Sequence, residues 1–360
     1  MNGDENRDFK LRYGADLPTG PGAARPPGGG EIVGVRDVLL IPGRPDMDLD
    51  GVEPADLATF PTWDIREGRQ DAEPIDLGRG LVLTQLDHAE RVMTACSSRG
   101  HYFFPVRQFG QMYSFVREID LAEIADERWN WDSENVIRDA VAMSRLILDN
   151  GYSTEYAARV FDYDSGEQQV MPIPLVQYAY RLRPTAREWM TTTEAGELRD
   201  LLAEFWRIRE ELPDRIAHAI WQAEYLVSAR WLDVIAPLLV VALETLVNTS
   251  RQLVTRQFRE RVPPMTEDAG APMTATLCDH MYDTRSRWVH GDRVPLYRRS
   301  STDPRRWEGP TDDEQRAALD RIARTQEGLR AVLRKAIGDP ELRAVFDSAE
   351  TIRERWPVAV

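Results

Sequence analysis

The sequence predicts an α+β protein in which a mixed domain of strands and helices precedes an all-α helix bundle. Three observations support this. Between Glu31 and about Pro184, short apolar segments alternate with helical segments and turn residues. From about Thr192, apolar residues recur at helical spacing over long segments. One of these, Trp231–Asn248, is apolar nearly all round, which is typical of a buried central helix.

Four regions follow from this pattern. Residues 1–30 end in a Pro/Gly-rich stretch that cannot bury enough apolar surface to fold, so we predict a disordered tail. We assign residues 31–190 to the α+β domain, with a sensor or regulatory role, and residues 191–340 to the helix bundle. Residues 341–360 are predicted to be a C-terminal tail.

The mixed domain is predicted to contain six strands, two helices and a hairpin. The Asp-Ser-Gly sequence at 164–166 lies between two apolar segments, as in a hairpin turn. The predicted helices are Leu83–Ser97 and Asn135–Asp149. The predicted strands are Ile32–Ile41, His101–Val106, Tyr113–Arg117, Arg159–Tyr163, Gln169–Pro172 and Val176–Leu182.

The bundle is predicted from helix start and stop signals. Pro213 ends one helix and begins the next, Pro263 ends another, and Gly291 follows the last residue of a fifth. The resulting helices are Glu194–Leu212, Pro213–Ala229, Trp231–Asn248, Gln252–Val262, Met273–His290 and Asp312–Ile337, with a polar, arginine-rich loop at Arg293–Pro310.

Composition excludes several classes of protein. The formal charge is −15, so a uniformly basic nucleic-acid-binding coat is excluded, although a local basic patch is not. Lys10 and Lys335 are the only lysines, and neither follows a glycine, so no P-loop is present. No apolar stretch is long enough to span a bilayer and no signal segment is evident, so we expect a soluble, cytoplasmic protein without membrane contact.

Cysteine and histidine give little reason to expect a metal or thiol site. Cys96 and Cys278 cannot build a disulfide framework, and no C-x-x-C pair occurs. Cys278 and His280 are two residues apart and point away from each other on a helix, which disfavours both metal ligation and a thiol nucleophile. We therefore predict no metal and no cofactor.

The segment from Tyr282 to Gly291, with the sequence YDTRSRWVHG, holds the most informative residues. His290 is placed at the end of a helix, where the dipole favours a protonated imidazole and a pKa near neutrality suits a general acid or base. Arg285 offers a planar set of donors that fits a phosphate. At about 100° per residue, the two side chains point about 140° apart, so they converge only if the last turn distorts or two chains pool their residues.

A second interpretation of this segment is purely structural. In it, His290 caps the helix carbonyls and the arginines pair with surface acids.

The segment resembles the R-x(4–6)-H signature of HEPN domains, and specifically the Apea-like group. The shared residues are Tyr282, Arg285, Ser286, His290 and Gly291. The segment Ala242–Leu246, which contains Glu244, resembles the central helix of that group, and Arg256–Val262 resembles its next helix. Weaker similarity extends over about residues 135–357.

The resemblance implies a metal-independent RNA endonuclease that acts as a homodimer through the helix bundle. In such enzymes the 2′-hydroxyl of the RNA is the nucleophile, and the products are a 2′,3′-cyclic phosphate and a 5′-hydroxyl. The implied roles are general acid/base for His290, phosphate binding for Arg285, orientation of the arginine or phosphate for Ser286, and positioning of Arg285 for Glu244. Glu244 is equally well explained as a polar rim residue of the buried helix.

Basic residues flank the motif in sequence and suit RNA as the partner. Residues 285–306 contain seven arginines and only two aspartates, which gives this segment a net positive charge. A second cluster of arginines lies between residues 251 and 261. Either group could instead be a solvated surface. The residues we assign to RNA binding are Arg256, Arg259, Arg287, Arg293, Arg298 and Arg299.

The biological role expected from the resemblance is that of a defence or growth-arrest effector, switched by an unknown ligand or protein acting on residues 31–190. Two alternatives remain open. One is a non-catalytic HEPN module that binds RNA or protein, and the other is a structural dimerisation domain.

Overall fold

The computed structural model describes residues 30–43, 73–87, 89–97, 110–122, 129–150, 156–173, 187, 189–227, 229, 232–290, 298–299, 307–308 and 312–358. Within them, a six-stranded antiparallel sheet precedes a large group of helices, which confirms the predicted α+β class. No helix in these ranges is long and apolar enough to cross a bilayer. The predicted tail up to residue 29 and the predicted strands at 101–106 and 176–182 lie outside the described residues.

The six strands of the sheet are hydrogen-bonded in the order β2-β3-β4-β1-β5-β6, and every neighbouring pair is antiparallel. The Asp-Ser-Gly sequence at 164–166 forms the predicted hairpin turn between β5 and β6, with Gly166 at a φ of 80°. The strands are β1 (Ile32–Gly43), β2 (Ile75–Gly78), β3 (Leu81–Thr84), β4 (Gly110–Ile119), β5 (Ala157–Tyr163) and β6 (Gln168–Pro172). Two-residue strands β7 (Arg298–Arg299) and β8 (Trp307–Glu308) pair separately.

Ten α-helices lie within the described residues, and a short 3-10 turn at Arg209–Glu211 follows the third. Most begin or end within a few residues of their predicted boundaries, because the capping and apolar signals are local. The helices are α1 (Ala89–Ser97), α2 (Trp129–Ile147), α3 (Thr192–Ile208), α4 (Asp214–Leu226), α5 (Leu232–Val247), α6 (Val254–Asp268), α7 (Ala275–Val289), α8 (Asp312–Gly338), α9 (Pro340–Val345) and α10 (Ala349–Arg355).

Both faces of the sheet are buried along β1, where side chains point alternately to one face and the other. Leu39 and Ile41 belong to the main core, which α2 and the bundle share, whereas Val38 and Leu40 pack with α1 in a second cluster. Successive side chains of a strand point to opposite faces, so a continuous apolar run such as VLLI fits a strand covered on both sides.

One apolar core joins the sheet to the bundle. Its buried residues include Phe115 on β4, Met143 on α2 and Leu243 on α5. A polar contact also joins the two parts: Arg334 on α8 donates a hydrogen bond to the carbonyl of Leu146 on α2 at 2.5 Å. The structure therefore shows no gap in the core at the predicted boundary between residues 190 and 191.

The predicted central helix is confirmed. α5 packs against α4, α6, α7 and α8, and its buried residues include Leu239, Leu243 and Leu246. One stripe of α5 is only half buried, and it consists of Val234, Leu238, Val241 and Thr245, with Asn248 continuing it just after the helix.

Three predictions about element boundaries are wrong. Leu81–Thr84 is a strand paired with β4, so the helix predicted from Leu83 begins only at Ala89. α6 continues through Pro263 and Pro264 to Asp268. These prolines deprive the carbonyls of Arg259 and Glu260 of their donors, and both residues lie on the outer side of α6, where solvent can replace the lost bonds.

The third error concerns residues 341–360, which were expected to be a tail. α9 and α10 lie in this region, and Phe346, Ile352 and Trp356 are buried against the bundle. The indole of Trp356 donates to Asp268 at 3.1 Å, and Arg261 donates to the carbonyl of Trp356 at 2.8 Å. Hydrophobic anchors spaced along a short polar segment are difficult to distinguish from a tail by periodicity alone.

A buried row of charges crosses the centre of the sheet. Asp37 on β1 is fully buried and accepts two hydrogen bonds from Arg159 on β5, at 2.6 and 2.8 Å. Ser133 on α2 also donates to Asp37. On the other side of β1, Arg117 on β4 is directly opposite Asp37. This row fixes the register of three strands, because a shift by one residue would bury the charge without its partners.

We predict that Asp37→Ala lowers the free energy of unfolding by about 3–5 kcal/mol, because it removes the acceptors of a buried guanidinium. Urea denaturation followed by circular dichroism measures the change. Asp200→Ala, which removes the exposed partner of Arg199, serves as the control and should change stability by less than about 0.5 kcal/mol. A loss below about 1 kcal/mol for Asp37→Ala would contradict a stabilising role for the row.

Candidate functional site

The helix α7 carries the predicted motif, and local sequence explains where it starts and which face it buries. Thr274 caps its N-terminus by accepting a hydrogen bond from the backbone N–H of Leu277 at 3.2 Å. Cys278, Met281 and Tyr282 lie at helical spacing and are buried in the core. The other side of α7 is exposed, so the helix displays its C-terminal polar residues at the surface.

Arg285 and Glu244 are brought together, as the predicted positioning role of Glu244 requires. Arg285 Nη2 lies 3.4 Å from Glu244 Oε2, and the guanidinium carbon lies 5.7 Å from the centre of the Tyr282 ring. The side chain of Arg285 is 25% exposed, whereas that of Glu244 is 9% exposed. The arginine is therefore anchored at its inner side and remains accessible at its outer side.

Burial of Glu244 sets the electrostatics of this pair. Desolvation raises the pKa of Glu244 above its ordinary value, and Arg285, Asn248 and Tyr282 act in the opposite direction. Arg285 Nε is buried and has no hydrogen-bond partner among the described residues. The contact between the two side chains is thus a single ion pair rather than a bidentate one, and part of the guanidinium stays available for another acceptor.

His290 lies at the end of α7 and is exposed. Its backbone N–H donates to the carbonyl of Ser286 at 3.0 Å, with φ of −84° and ψ of 3°. The helical hydrogen bonding therefore continues up to the N–H of His290, and the backbone leaves the helical conformation at His290 itself. Because Arg285 and His290 are five positions apart on the helix, their side chains point about 140° apart, so one chain does not aim both at the same phosphate.

Arg287 is the arginine that shares a helix face with His290. The two are three residues apart, which places them about 60° apart around the helix, and both are exposed. Ser286 is half buried between Arg285 and Arg287. In the described part of one chain, the exposed side chains of His290 and Arg287 therefore share one face at the end of α7, and Arg285 lies on a different face.

The second predicted basic cluster is largely engaged by acidic groups. Arg256 pairs with Glu260 at 2.7 Å, and Arg259 pairs with Asp279 at 2.6 Å and with Asp283 at 3.6 Å. Arg261 is buried and donates to the carbonyl of Val247 at 2.8 Å, so it has a structural role. Ion pairing of this kind weakens the positive potential that Arg256 and Arg259 present to RNA.

The remaining RNA-binding candidates are only partly described. Arg298 and Arg299 form β7, paired with β8, but their side chains are not described, and Arg293 lies outside the described residues. A surface feature that the sequence interpretation missed lies on α4, where Trp221 and Tyr225 are 64% and 57% exposed. Their spacing of four residues, on the side opposite Ile216 and Ile220, was the available signal.

The environment of Cys278 does not favour thiol chemistry. Burial raises the pKa of Cys278 to about 12, so its thiol stays protonated at neutral pH. No group of three or more histidine, cysteine, aspartate or glutamate side chains in the described ranges is arranged to hold a metal ion.

We predict that Cys278 resists alkylation by iodoacetamide at pH 8 in the folded protein, because a pKa of about 12 leaves about one thiol in ten thousand ionised. In urea the same cysteine should react rapidly. Peptide mass spectrometry follows modification at this position. Rapid labelling of Cys278 in the native protein would show that the thiol is neither buried nor suppressed.

Comparisons of the chain with known proteins add no information about the site. No family model, no curated protein and no solved structure matches it. The site consists of an anchored arginine and an exposed histidine on one helix. Both belong to residues that the sequence singled out.

Proposed function

We propose that two copies of this chain together form an RNA endonuclease that needs no metal ion. The observation that supports this most strongly is the arrangement on α7, where Arg285 is anchored by buried Glu244 and His290 is exposed at the end of the same helix. An anchored guanidinium suits a phosphate that gains charge during the reaction, and an exposed imidazole can reach the substrate to accept and donate a proton.

The proposed reaction uses the RNA itself as the nucleophile. His290 accepts the proton of the 2′-hydroxyl as the 2′-oxygen bonds to phosphorus, and the bond from phosphorus to the 5′-oxygen breaks. The imidazolium then gives its proton to the departing 5′-oxygen. The products are a 2′,3′-cyclic phosphate and a 5′-hydroxyl, and the histidine returns to its starting state.

Arg285 stabilises the charge on the phosphorane oxygens in this scheme. Glu244 acts through Arg285 and is therefore a positioning residue. Its burial strengthens the attraction between the two groups, because charges interact more strongly at low dielectric. Ser286 follows the arginine directly and can orient the phosphate or the guanidinium.

The requirement for two chains follows from the angle between the side chains. In the proposed arrangement, Arg285 of one chain and His290 of another reach one phosphate, since the two side chains of a single α7 point about 140° apart. A two-fold axis near the end of α7 would generate two such sites. Arg287, which shares the face of His290, would supply additional positive charge for the RNA backbone.

The proposed biological role is that of a defence or growth-arrest effector regulated through residues 31–190, and the continuous core between sheet and bundle supports the coupling that such regulation needs. α2 packs on both the sheet and α8, so a ligand or protein that shifts the sheet would also strain the bundle.

A second candidate function is a non-catalytic module that binds RNA or protein. The pairing of Arg285 with Glu244, and of Arg256 and Arg259 with neighbouring acids, favours it, because these contacts are also those of a stable protein surface. It differs from the nuclease in yielding no products at any protein concentration.

Arg285→Ala and His290→Ala should each reduce RNA cleavage at least 100-fold in buffer containing EDTA, because each removes a group that acts on the reacting phosphate. Denaturing gels of labelled RNA measure cleavage, and the terminal phosphates identify the products. His280→Ala serves as the matched control, since His280 is exposed on the same helix, ten residues from His290. Full activity of either site variant would contradict the assignment.

Glu244→Gln should reduce cleavage about 10-fold, less than Arg285→Ala, because it weakens the anchor and leaves the guanidinium in place. Single-turnover rates at saturating RNA show whether the loss lies in the chemical step rather than in binding. An effect on stability alone, with unchanged rates in the folded protein, would contradict a positioning role.

A heterodimer of Arg285→Ala and His290→Ala chains tests the shared site. Purified through two different affinity tags, it should recover about half of the wild-type rate, because one of the two composite sites keeps both residues. If both residues act from one chain, every site in this heterodimer is defective and no activity returns. That result would reject the shared arrangement even if wild-type protein cleaves RNA.

A further inference from the structure

Four arginines lie around the C-terminal end of α5, and none of them forms an ion pair with a described carboxylate. They are Arg215 on α4, Arg251 in the loop between α5 and α6, Arg261 on α6 and Arg353 on α10, and we call them the α5-end arginines. Most other arginines in the described ranges are paired with acidic side chains. In a chain of charge −15, arginines that stay unneutralised in one place can attract an external anion.

Carbonyl groups at the end of α5 hold two of these arginines in place. Arg215 Nη1 donates to the carbonyls of Thr245 and Asn248, both at 2.8 Å. Arg261 Nη1 donates to the carbonyl of Val247, also at 2.8 Å. The last carbonyls of a helix have no partner within the helix, so basic side chains that satisfy them become fixed at that end.

Arg353 and Arg251 are linked to the group through Arg261. Arg261 Nε donates to the carbonyl of Trp356 at 2.8 Å, and Arg353 precedes Trp356 by three residues at the end of α10. The side chain of Gln257 accepts a hydrogen bond from Arg261 at 2.7 Å. Its amide nitrogen donates to the carbonyls on either side of Arg251, at 3.3 and 2.6 Å. Buried hydrogen bonds therefore connect all four positions to the end of α5.

The charges of these arginines lie close enough to act on one another. Burial lowers the pKa of Arg261, and the positive charges of Arg353 and Arg215 lower it further, whereas Glu260 raises it. Glu260 is itself paired with Arg256 at 2.7 Å. The group therefore keeps a positive charge that the protein does not compensate.

Exposed carboxylates near the group in sequence do not pair with it. None of them forms an ion pair with a described residue, so they are not held against the arginines. Hydrogen bonds do hold Arg215 and Arg261, and attraction at short range then outweighs a more distant repulsion that salt screens. These carboxylates belong to Glu210, Glu211, Asp214, Glu350 and Glu354.

The accessible arginines of the group keep donors for a ligand. Arg215 uses only Nη1 in its hydrogen bonds, which leaves Nε and Nη2, a pair that can bind a phosphate with two parallel hydrogen bonds. Arg353 is exposed and uses only Nε, which donates to the carbonyl of Ala349 at 3.0 Å. The side chain of Arg251 is exposed and makes no hydrogen bond to a described residue. Arg261 is buried and contributes its charge alone.

The group adjoins the candidate site along α5. Glu244 anchors Arg285, and the next residue, Thr245, supplies a carbonyl to Arg215. At 1.5 Å per residue, residues 244–248 span about 6 Å along the axis of α5. About one helical turn therefore positions both Arg285 and the α5-end arginines.

We propose that the α5-end arginines form a phosphate-binding site that holds the backbone of an RNA strand beside the scissile phosphate. The proposal rests on the proposed nuclease function, since that function supplies RNA as the ligand. Guanidinium groups without carboxylate partners suit a chain of phosphates, and such contacts supply much of the affinity of proteins for nucleic acids. They read no base, so the site adds affinity without sequence specificity. An inorganic phosphate ion offers the same acceptors, and the experiment separates the two ligands.

Fluorescence anisotropy of the full chain with a labelled single-stranded RNA measures the dissociation constant, and 2′-O-methyl groups on the RNA prevent its cleavage. Arg215→Gln and Arg353→Gln should each raise the dissociation constant about 3–10-fold. Each should also make the dependence of log K on log salt concentration shallower by about 0.7, the value for one phosphate contact in a single strand. Arg324→Gln is the matched control, because Arg324 is 69% exposed on α8 and pairs with Asp320, and its effect should stay below about 1.5-fold.

A double variant guards against unfolding, because Arg215 also caps α5. Arg251→Gln combined with Arg353→Gln leaves that cap intact and should raise the dissociation constant about 10-fold or more, with melting temperatures confirming the fold. Inorganic phosphate at constant ionic strength should shift the melting temperatures of wild type and Arg353→Gln equally. Stabilisation of wild type alone, with unchanged RNA affinity in the variants, would overturn the assignment to RNA and identify a free phosphate as the ligand.

Unchanged RNA affinity in the single and double variants would overturn the site. An equal loss in Arg324→Gln would also overturn it, since affinity would then follow net charge alone. The nuclease is tested separately: RNA binding that depends on Arg353 but yields no products from cleavable RNA keeps the site and rejects the enzyme. Cleavage that requires Arg285 and His290, with RNA affinity independent of Arg215 and Arg353, rejects the site and keeps the enzyme.

Discussion

Burial of α5 is the constraint on which the rest of the bundle depends. Four helices pack around it, and between Val234 and Val247 its apolar sequence leaves one stripe half exposed. Glu244 lies next to that stripe, so its carboxylate is desolvated and needs a cation, which α7 supplies as Arg285. The position of the candidate site is therefore a consequence of core packing: the same helix that organises the hydrophobic interior also supplies the anchor for Arg285.

Much of the fold could be predicted from the sequence because its signals are local. Thr191 and Glu194 form a capping box at the start of α3, and Gly166 permits the turn between β5 and β6. Predictions failed where tertiary contacts decided between alternatives. The run at Leu81–Thr84 became a strand through pairing with β4, and the prolines of α6 were tolerated because the carbonyls they leave without donors belong to residues on its outer side.

The candidate site was predictable in its residues and less so in its surroundings. The spacing of Arg285 and His290 already gave the angle between them, and helical hydrogen bonding up to the N–H of His290 agrees with it. Which arginines are paired could not be predicted, because Arg259 meets Asp279 and Asp283 only when α6 and α7 pack together. The exposed ring of Trp221 was predictable in principle, because Trp221 and Tyr225 are four residues apart on the side of α4 opposite Ile216 and Ile220.

The single core shared by sheet and bundle has a consequence for how the protein unfolds and how it can be divided. Residues of α2 and α3 contact strands on one side and the long helix α8 on the other, so neither half has a complete interior of its own. Cooperative denaturation in one transition is expected of such an arrangement. Truncation near residue 190 would uncover apolar surface on both fragments, and fragments of this kind aggregate. A gene rearrangement that separated the sheet from the bundle would therefore produce fragments of this kind.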